Sequence, residues 1–234
     1  MTVYTDAMVG AFHLLFGGDA HVWEIIFRSI WVSGQAVLIA TVVGVPLGYL
    51  LGMSRFAGRG VLMVFVNTAM GFPPVVVGLY VFMALSNAGP LGSLELLFTV
   101  PAMVIAQLLL ATPLVMGVTA AAVASVPRDL RLQVRALGAS RSQEGLAVLK
   151  EARRGVMASV IAGFGGIISE VGAVGIVGGS AVGYTEVMTT AIMAYVRQGN
   201  FQLAMSLGLV LIGIALMVNV ALTTIQNLGV VYER

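Results

Sequence analysis

Cysteine is absent from the 234 residues, which excludes disulfides and thiolate metal or redox sites. Charge is nearly as scarce. Asp, Glu, Lys and Arg make up 9% of the chain, against about a quarter in soluble domains. The two histidines, His13 and His21, have no acidic cluster at ligand spacing, so they are expected at a boundary or surface rather than on a metal. Residues 1–28 hold Asp6, Asp19, Glu24 and Arg28 and no basic run ahead of an apolar core, the opposite of a cleaved signal peptide. A zinc-protease His-Glu-x-x-His, a Gly-x-Ser-x-Gly elbow, a Walker loop and paired aspartates within apolar segments are all missing. These absences predict a chain that is not itself an enzyme, holds no cofactor and binds no nucleic acid.

What fills the space is apolar. Hydrophobic residues reach 59% and mean hydropathy is +1.02, the composition of an integral membrane protein. Long uncharged runs, rather than ten-residue alternating segments, select helices over a barrel. Five spans are expected, at about 29–52, 61–85, 100–123, 155–178 and 203–225, forming one transmembrane unit over 29–227. Residues 1–28 precede it as an interfacial segment, whose apolar run from Ala7 to Phe16 is too short to cross and is stopped by Gly17-Gly18. Residues 228–234 form a short tail. Trp23 and Trp31 mark a membrane boundary.

Several spans carry built-in irregularity. Gly44, Gly48 and Gly52 form a four-residue ladder that permits close approach of another helix. Pro46 is expected to kink that span. Phe72-Pro73-Pro74 removes two backbone donors from the second. Thr112-Pro113 interrupts the third. The fourth is rich in glycine, and it contains Glu170. Beyond it, Thr185 is expected to start a helix that Gly199 stops.

The one long polar stretch is 128–154, with seven basic and three acidic residues. Apolar residues recur in it at helical spacing, as at Leu130, Val134 and Leu137, so two short amphipathic helices around Gly138 are expected. Basic loops stay cytoplasmic. With 54–60 also basic and 86–95 and 180–202 not, the N-terminus is placed outside and the C-terminus in the cytoplasm. Anionic lipid is one surface such a loop can meet.

The run Arg135-Ala136-Leu137-Gly138-Ala139-Ser140-Arg141 resembles the centre of the Glu-Ala-Ala loop of ABC-importer permeases. Gly138 stands where that family has its glycine. Leu132-Gln133-Val134 replaces the Glu-Ala-Ala itself and Lys150-Glu151 the later Leu-Pro, so the outer parts of the motif differ. Further on, Lys150-Glu151-Ala152-Arg153-Arg154-Gly155, Ser169-Glu170-Val171-Gly172-Ala173-Val174, Gly178-Gly179-Ser180 and 183–192 are similar to permeases of the molybdate, tungstate and sulfate family, above all the tungstate branch. The resemblance covers most of 29–226. It implies a type I ABC-importer transmembrane domain in the prokaryotic inner membrane, working as a homodimer with separate ATPase subunits and an external substrate-binding protein. Ala136, Leu137, Gly138, Ala139, Ser140 and Arg141 would couple to the ATPase. Pro73, Pro74, Ser169, Glu170 and Gly172 would bend the pathway at its gate. Tungstate is the expected cargo, with molybdate or sulfate as alternatives.

Two readings rest on the residues themselves. No Lys or Arg lies inside an expected span, so selectivity for an anion should reside in a binding protein. Glu170 costs roughly 2.5–3.5 kcal/mol at mid-span, and is expected to accept hydrogen bonds from backbone donors freed at a bend. A proton-carrying role for it would instead favour an ion-coupled secondary transporter.

Overall fold

The computed structural model describes residues 3–54 and 56–227. Arg55 of the first basic loop and the expected tail 228–234 lie outside the described residues. The described chain is helical, in the order α1 (Val3–Phe16), α2 (Ala20–Met53), α3 (Arg59–Met70), α4 (Pro74–Leu85), α5 (Val100–Ala124), α6 (Arg128–Ala136), α7 (Arg141–Ile168), α8 (Gly172–Gly178), α9 (Met188–Arg197) and α10 (Phe201–Asn227), with one 3₁₀ turn at Gly92–Leu94.

Three helices, α2, α5 and α10, are each long and apolar enough to cross a bilayer. Two further crossings are bent pairs. The axes of α3 and α4 turn by 98° and those of α7 and α8 by 59°, giving five spans if each pair is one.

Helix α2 starts nine residues before the expected span because Asp19 caps it. The carboxylate accepts from the backbone N–H groups of His21 (3.0 Å) and Val22 (3.1 Å), satisfying donors a helix start leaves open. At 34 residues it is ~51 Å long, so about four turns of it exceed a ~30 Å apolar core. It runs through Pro46 as one helix.

The glycine ladder of α2 is used inside the subunit. A β-carbon on Gly48 would come within 2.4 Å of the Met116 carbonyl oxygen, and one on Gly52 within 2.7 Å of Val123. Bare backbone here lets α2 and α5 pack at close range. Their contact forms the core with Val32, Ala36, Ala40, Met103, Ala111 and Val115, against Ile167 and Val174 of the last bent pair. Helix α7 joins it through buried polar contacts that include Thr119 Oγ1 to Ser159 Oγ at 3.0 Å. Helix α1 leans on the start of α10, where Gly10 abuts the Gln202 side chain.

Basic residues collect at one end, on α6, the start of α7 and the start of α3. The start of α2, the 179–187 loop and α9 lie at the opposite end.

Candidate coupling corner and gate

The basic end is a corner of defined geometry. Helix α6 ends in a Schellman turn: Gly138 N–H donates to the Arg135 carbonyl (2.9 Å) and Ala139 N–H to that of Val134 (3.2 Å). The turn requires a left-handed residue, and Gly138 supplies it with φ +84°. No atom lies within 4 Å of where its β-carbon would stand, so glycine is needed for backbone freedom and not for space. Ser140 then starts α7 with a capping box. Its N–H donates to Gln143 Oε1 (2.8 Å), and its hydroxyl accepts from Gln143 N–H (3.4 Å).

The expected second amphipathic helix is therefore the first part of α7, which continues into the membrane without a break from Arg141 to Ile168. Residues 139–140 are the turn and cap, not a coupling helix of their own. What projects is α6 with Leu137, 88% exposed.

This corner is tied to the body. Arg135 Nε donates to Glu144 Oε2 at 2.7 Å, and Glu144 is buried although its partner is largely exposed. The bond and the charge of Glu144 together raise the Arg135 pKa above its usual value. Arg131 donates to the Val123 carbonyl at the end of α5 (3.0 Å), and Arg59 to that of Leu51 at the end of α2 (2.7 Å), both placing a cation at a helix C-terminus. Beneath them Val123, Val126, Val148 and Ala152 form a small core with Tyr49, Leu130 and Val156. Helix α6 is thereby tied to the end of α5 through Arg131 and to α7 through Arg135.

The two bends meet elsewhere. At the first, Pro73 precedes α4 and Pro74 is its first residue. At the second, Ser169 ends α7 with its hydroxyl turned back to the Gly165 carbonyl (3.0 Å). Glu170 then caps α8: Oε1 accepts from Gly172 N–H (2.6 Å) and Oε2 from Ala173 N–H (3.0 Å) and Val174 N–H (3.4 Å). The freed acceptors are met too. Gln107 Nε2 donates to the Ile167 carbonyl (3.0 Å) and Thr189 Oγ1 to that of Glu170 (2.9 Å). Gly172 faces Val75, where a β-carbon would approach to 2.4 Å, and Gly78 faces the Ala173 backbone at 2.6 Å. So Pro74, Glu170 and Gly172 belong to one contact between bends, and 136–141 lie at the far end.

The 180–202 segment differs from its expected form. Thr185 does not start α9. Its hydroxyl donates to the Gly178 carbonyl (2.6 Å) and accepts from Ala181 N–H (2.9 Å), closing the loop. The helix starts at Met188, whose N–H bonds Ser29 Oγ of α2 (2.7 Å). Glu186 is 1% exposed. Its Oε2 lies 3.6 Å from His21 Nε2, which is 2.6 Å from Tyr195 Oη. Burial first, and the neighbouring Glu186 second, push the Tyr195 hydroxyl up to about 12. Arg28 fastens the loop to α2 through the carbonyls of Glu186 (3.1 Å) and Gly183 (2.8 Å).

Between α8 and α9 runs a groove of about 580 Å³, walled by Gly172, Gly175 and Gly179 on one side and by Thr190, Met193, Ala194 and Arg197 on the other, with Val75 at its edge. Gln107, Thr189 and this groove were not legible from motifs. Gln107 carries the one available signal, as an amide inside an expected span.

Comparison with known proteins decides the family. Residues 44–228 match the model of the binding-protein-dependent transport system inner membrane component. The chain belongs to that family. Among its relatives is a Haloferax volcanii protein named "Probable anion ABC transporter permease protein", 42% identical over 196 residues, covering 82% of this chain and 84% of the relative. A tungstate uptake system permease protein of Peptoclostridium acidaminophilum is 37% identical, with 97% of this chain and 100% of the relative covered. The crystal structure of an amino acid ABC transporter with histidines superposes with a TM-score of 0.67 at 16% identity, over 97% of this chain and 99% of that one. It shares the fold. This inner membrane component is thus a multi-pass ABC permease subunit, and a permease of this family operates with an ATPase and a binding protein.

Proposed function

We propose that this permease is the homodimeric membrane subunit of an importer for a tetrahedral oxyanion, tungstate ahead of molybdate and sulfate. The cargo reading is supported by the full-length relative named for tungstate uptake. The coupling reading is carried by one observation: a projecting helix, α6, ends in a left-handed glycine and is fixed to α7 by Arg135 and Glu144. With the basic end in the cytoplasm, Leu137 and Gly138 face the ATPase, and the start of α2 and α9 face outward. ATP binding draws the two α6 corners together. Because α7 is continuous from Arg141 to Ile168, that movement reaches the bend at Glu170, and the α4–α8 contact opens. Hydrolysis is the partner's, and this chain contributes no catalytic group.

The exposed apolar face of α3 and α4, including Val61, Phe65, Val75 and Leu79, faces the second copy or lipid in this scheme. Co-expression with the ATPase and binding protein tests it. The complex should co-purify with two permease copies, and ATP-loaded liposomes should accumulate tungstate only when binding protein is outside. Uptake without an ATPase, driven by a proton gradient, would overturn the proposal.

A further inference from the structure

Arginine is rare at the end opposite the basic corner: among the described residues Arg28 and Arg197 are its two representatives. Their situations differ. Arg28 is consumed by the carbonyls of Glu186 and Gly183 and the carboxylate of Glu24. The Arg197 guanidinium makes no ion pair or hydrogen bond among the described residues, and it lines the groove between α8 and α9. It stands in register with Thr190, Met193 and Ala194, at the helical spacing that puts four residues on one face. The facing wall is made by Val171, Gly172, Gly175, Ile176, Gly179 and Ser180. The Thr190 hydroxyl accepts from Ser180 Oγ at 2.9 Å, so the polar groups beside the cation are already engaged with each other.

An unpaired guanidinium lining a groove that is otherwise mostly apolar focuses field on anything negative that arrives there. Its planar fork matches a tetrahedral oxyanion better than an ammonium would. The nearest acidic side chain along the α8 wall is Glu170, whose carboxylate is occupied by three N–H groups. An anion is therefore drawn in at one end and offered no countercharge beyond it. Resting on the importer function proposed above, we infer that Arg197 is the receiving residue of the pathway: a transient oxyanion site that takes the dianion as the binding protein releases it. The expected spans carry no Lys or Arg, so among the described residues Arg197 is the one unpaired cation at this end.

The chain's lack of cysteine makes the charge directly testable. In the assembled complex, Arg197→Cys should lower initial tungstate uptake about tenfold, the low end of what electrostatic guidance supplies. Treating it with a cationic methanethiosulfonate should restore at least half of the parental rate, and the anionic sulfonate reagent should abolish what remains. Arg197→Lys should keep at least half. The same reagents on Val182→Cys, 74% exposed on the neighbouring loop, should have no effect of either sign. Equal inhibition by both reagents, parental uptake in Arg197→Cys, or loss of uptake in an assembled Arg197→Lys complex would overturn the inference. A parent complex that moves no tetrahedral oxyanion at all would instead remove the importer function, and this site with it.

Discussion

The two bent spans solve one problem by opposite chemistry. Breaking a helix inside a membrane strands backbone donors and acceptors that no water can satisfy. Between α3 and α4 the donors are deleted: Pro73 and Pro74 have no N–H, and Val76 and Val77 both donate to the Pro73 carbonyl (2.9 and 3.2 Å). Between α7 and α8 the donors remain and an acceptor is brought to them, the Glu170 carboxylate. Deletion makes a sharp, permanent 98° break. Supply makes a milder 59° one whose bonds can lengthen and reform. In the cycle proposed above, the proline bend is the fixture and the glutamate bend is the one that moves. Gly172 abuts Val75 and Gly78 abuts Ala173, so in that cycle the glutamate bend moves against the proline bend.

The largest expected effect breaks the supplied bend. Glu170→Ala strands three N–H groups, each worth ~1–3 kcal/mol when buried and unpaired, so the assembled dimer should be lost or its uptake cut at least ~100-fold. Size-exclusion chromatography followed by uptake measures which. Next is the transmission from the far corner. Gly138→Asp puts a side chain at φ +84°, a strain of about 1–2 kcal/mol. It should leave insertion and dimerisation intact while abolishing the stimulation of ATP hydrolysis by loaded binding protein.

Smaller effects sharpen the contrast. Thr189→Val removes the hydroxyl that holds the Glu170 carbonyl, a bond worth ~1 kcal/mol, and should slow uptake a few-fold without loss of assembly. The matching change at the fixed bend, Pro73→Ala, gives back a donor with no acceptor supplied, and should alter the thermal midpoint more than the transport rate. The smallest effect is expected at Tyr195. Its folded pKa of about 12 lies above the ordinary 10, so its contribution is whole below about pH 10. That contribution is lost as the pH rises through about 12. Spectrophotometric titration should show one late tyrosine that disappears in Tyr195→Phe, whose uptake near neutral pH stays within about twofold of the parent.

Much of this was legible from residue type and spacing, and some of it was not. Apolar runs announce spans because lipid leaves the backbone no alternative to helices. Pro73-Pro74 and the glycines around Glu170 announce breaks. The hydrogen bonds that Glu170 accepts from freed N–H groups were also expected. Boundaries were harder. Helix α2 gained nine residues because Asp19, a cap, reads in sequence like any other surface charge, and α7 absorbed the polar stretch because a capping box at Ser140 makes charged residues helical. The glycine ladder announced a close neighbour but not that the neighbour was α5. Pairings distant in sequence stayed hidden, as with Gln107 to Ile167 and His21 to Glu186. Glu186 and Arg197 are opposite charges of one loop in sequence, and folding buries the first and leaves the second lining the groove.

The account turns on Glu170 acting as a hydrogen-bond acceptor rather than a proton carrier. Initial ATP-driven tungstate uptake by the Glu170→Gln complex, compared with the parent from about pH 6 to about pH 8, separates the two roles. An amide oxygen can still accept from Gly172 and Ala173, so the variant should retain a substantial fraction of parental uptake with a pH profile parallel to the parent's. A parent with steep pH dependence and a Gln variant with none would contradict the account, and would make this carboxylate part of a proton path.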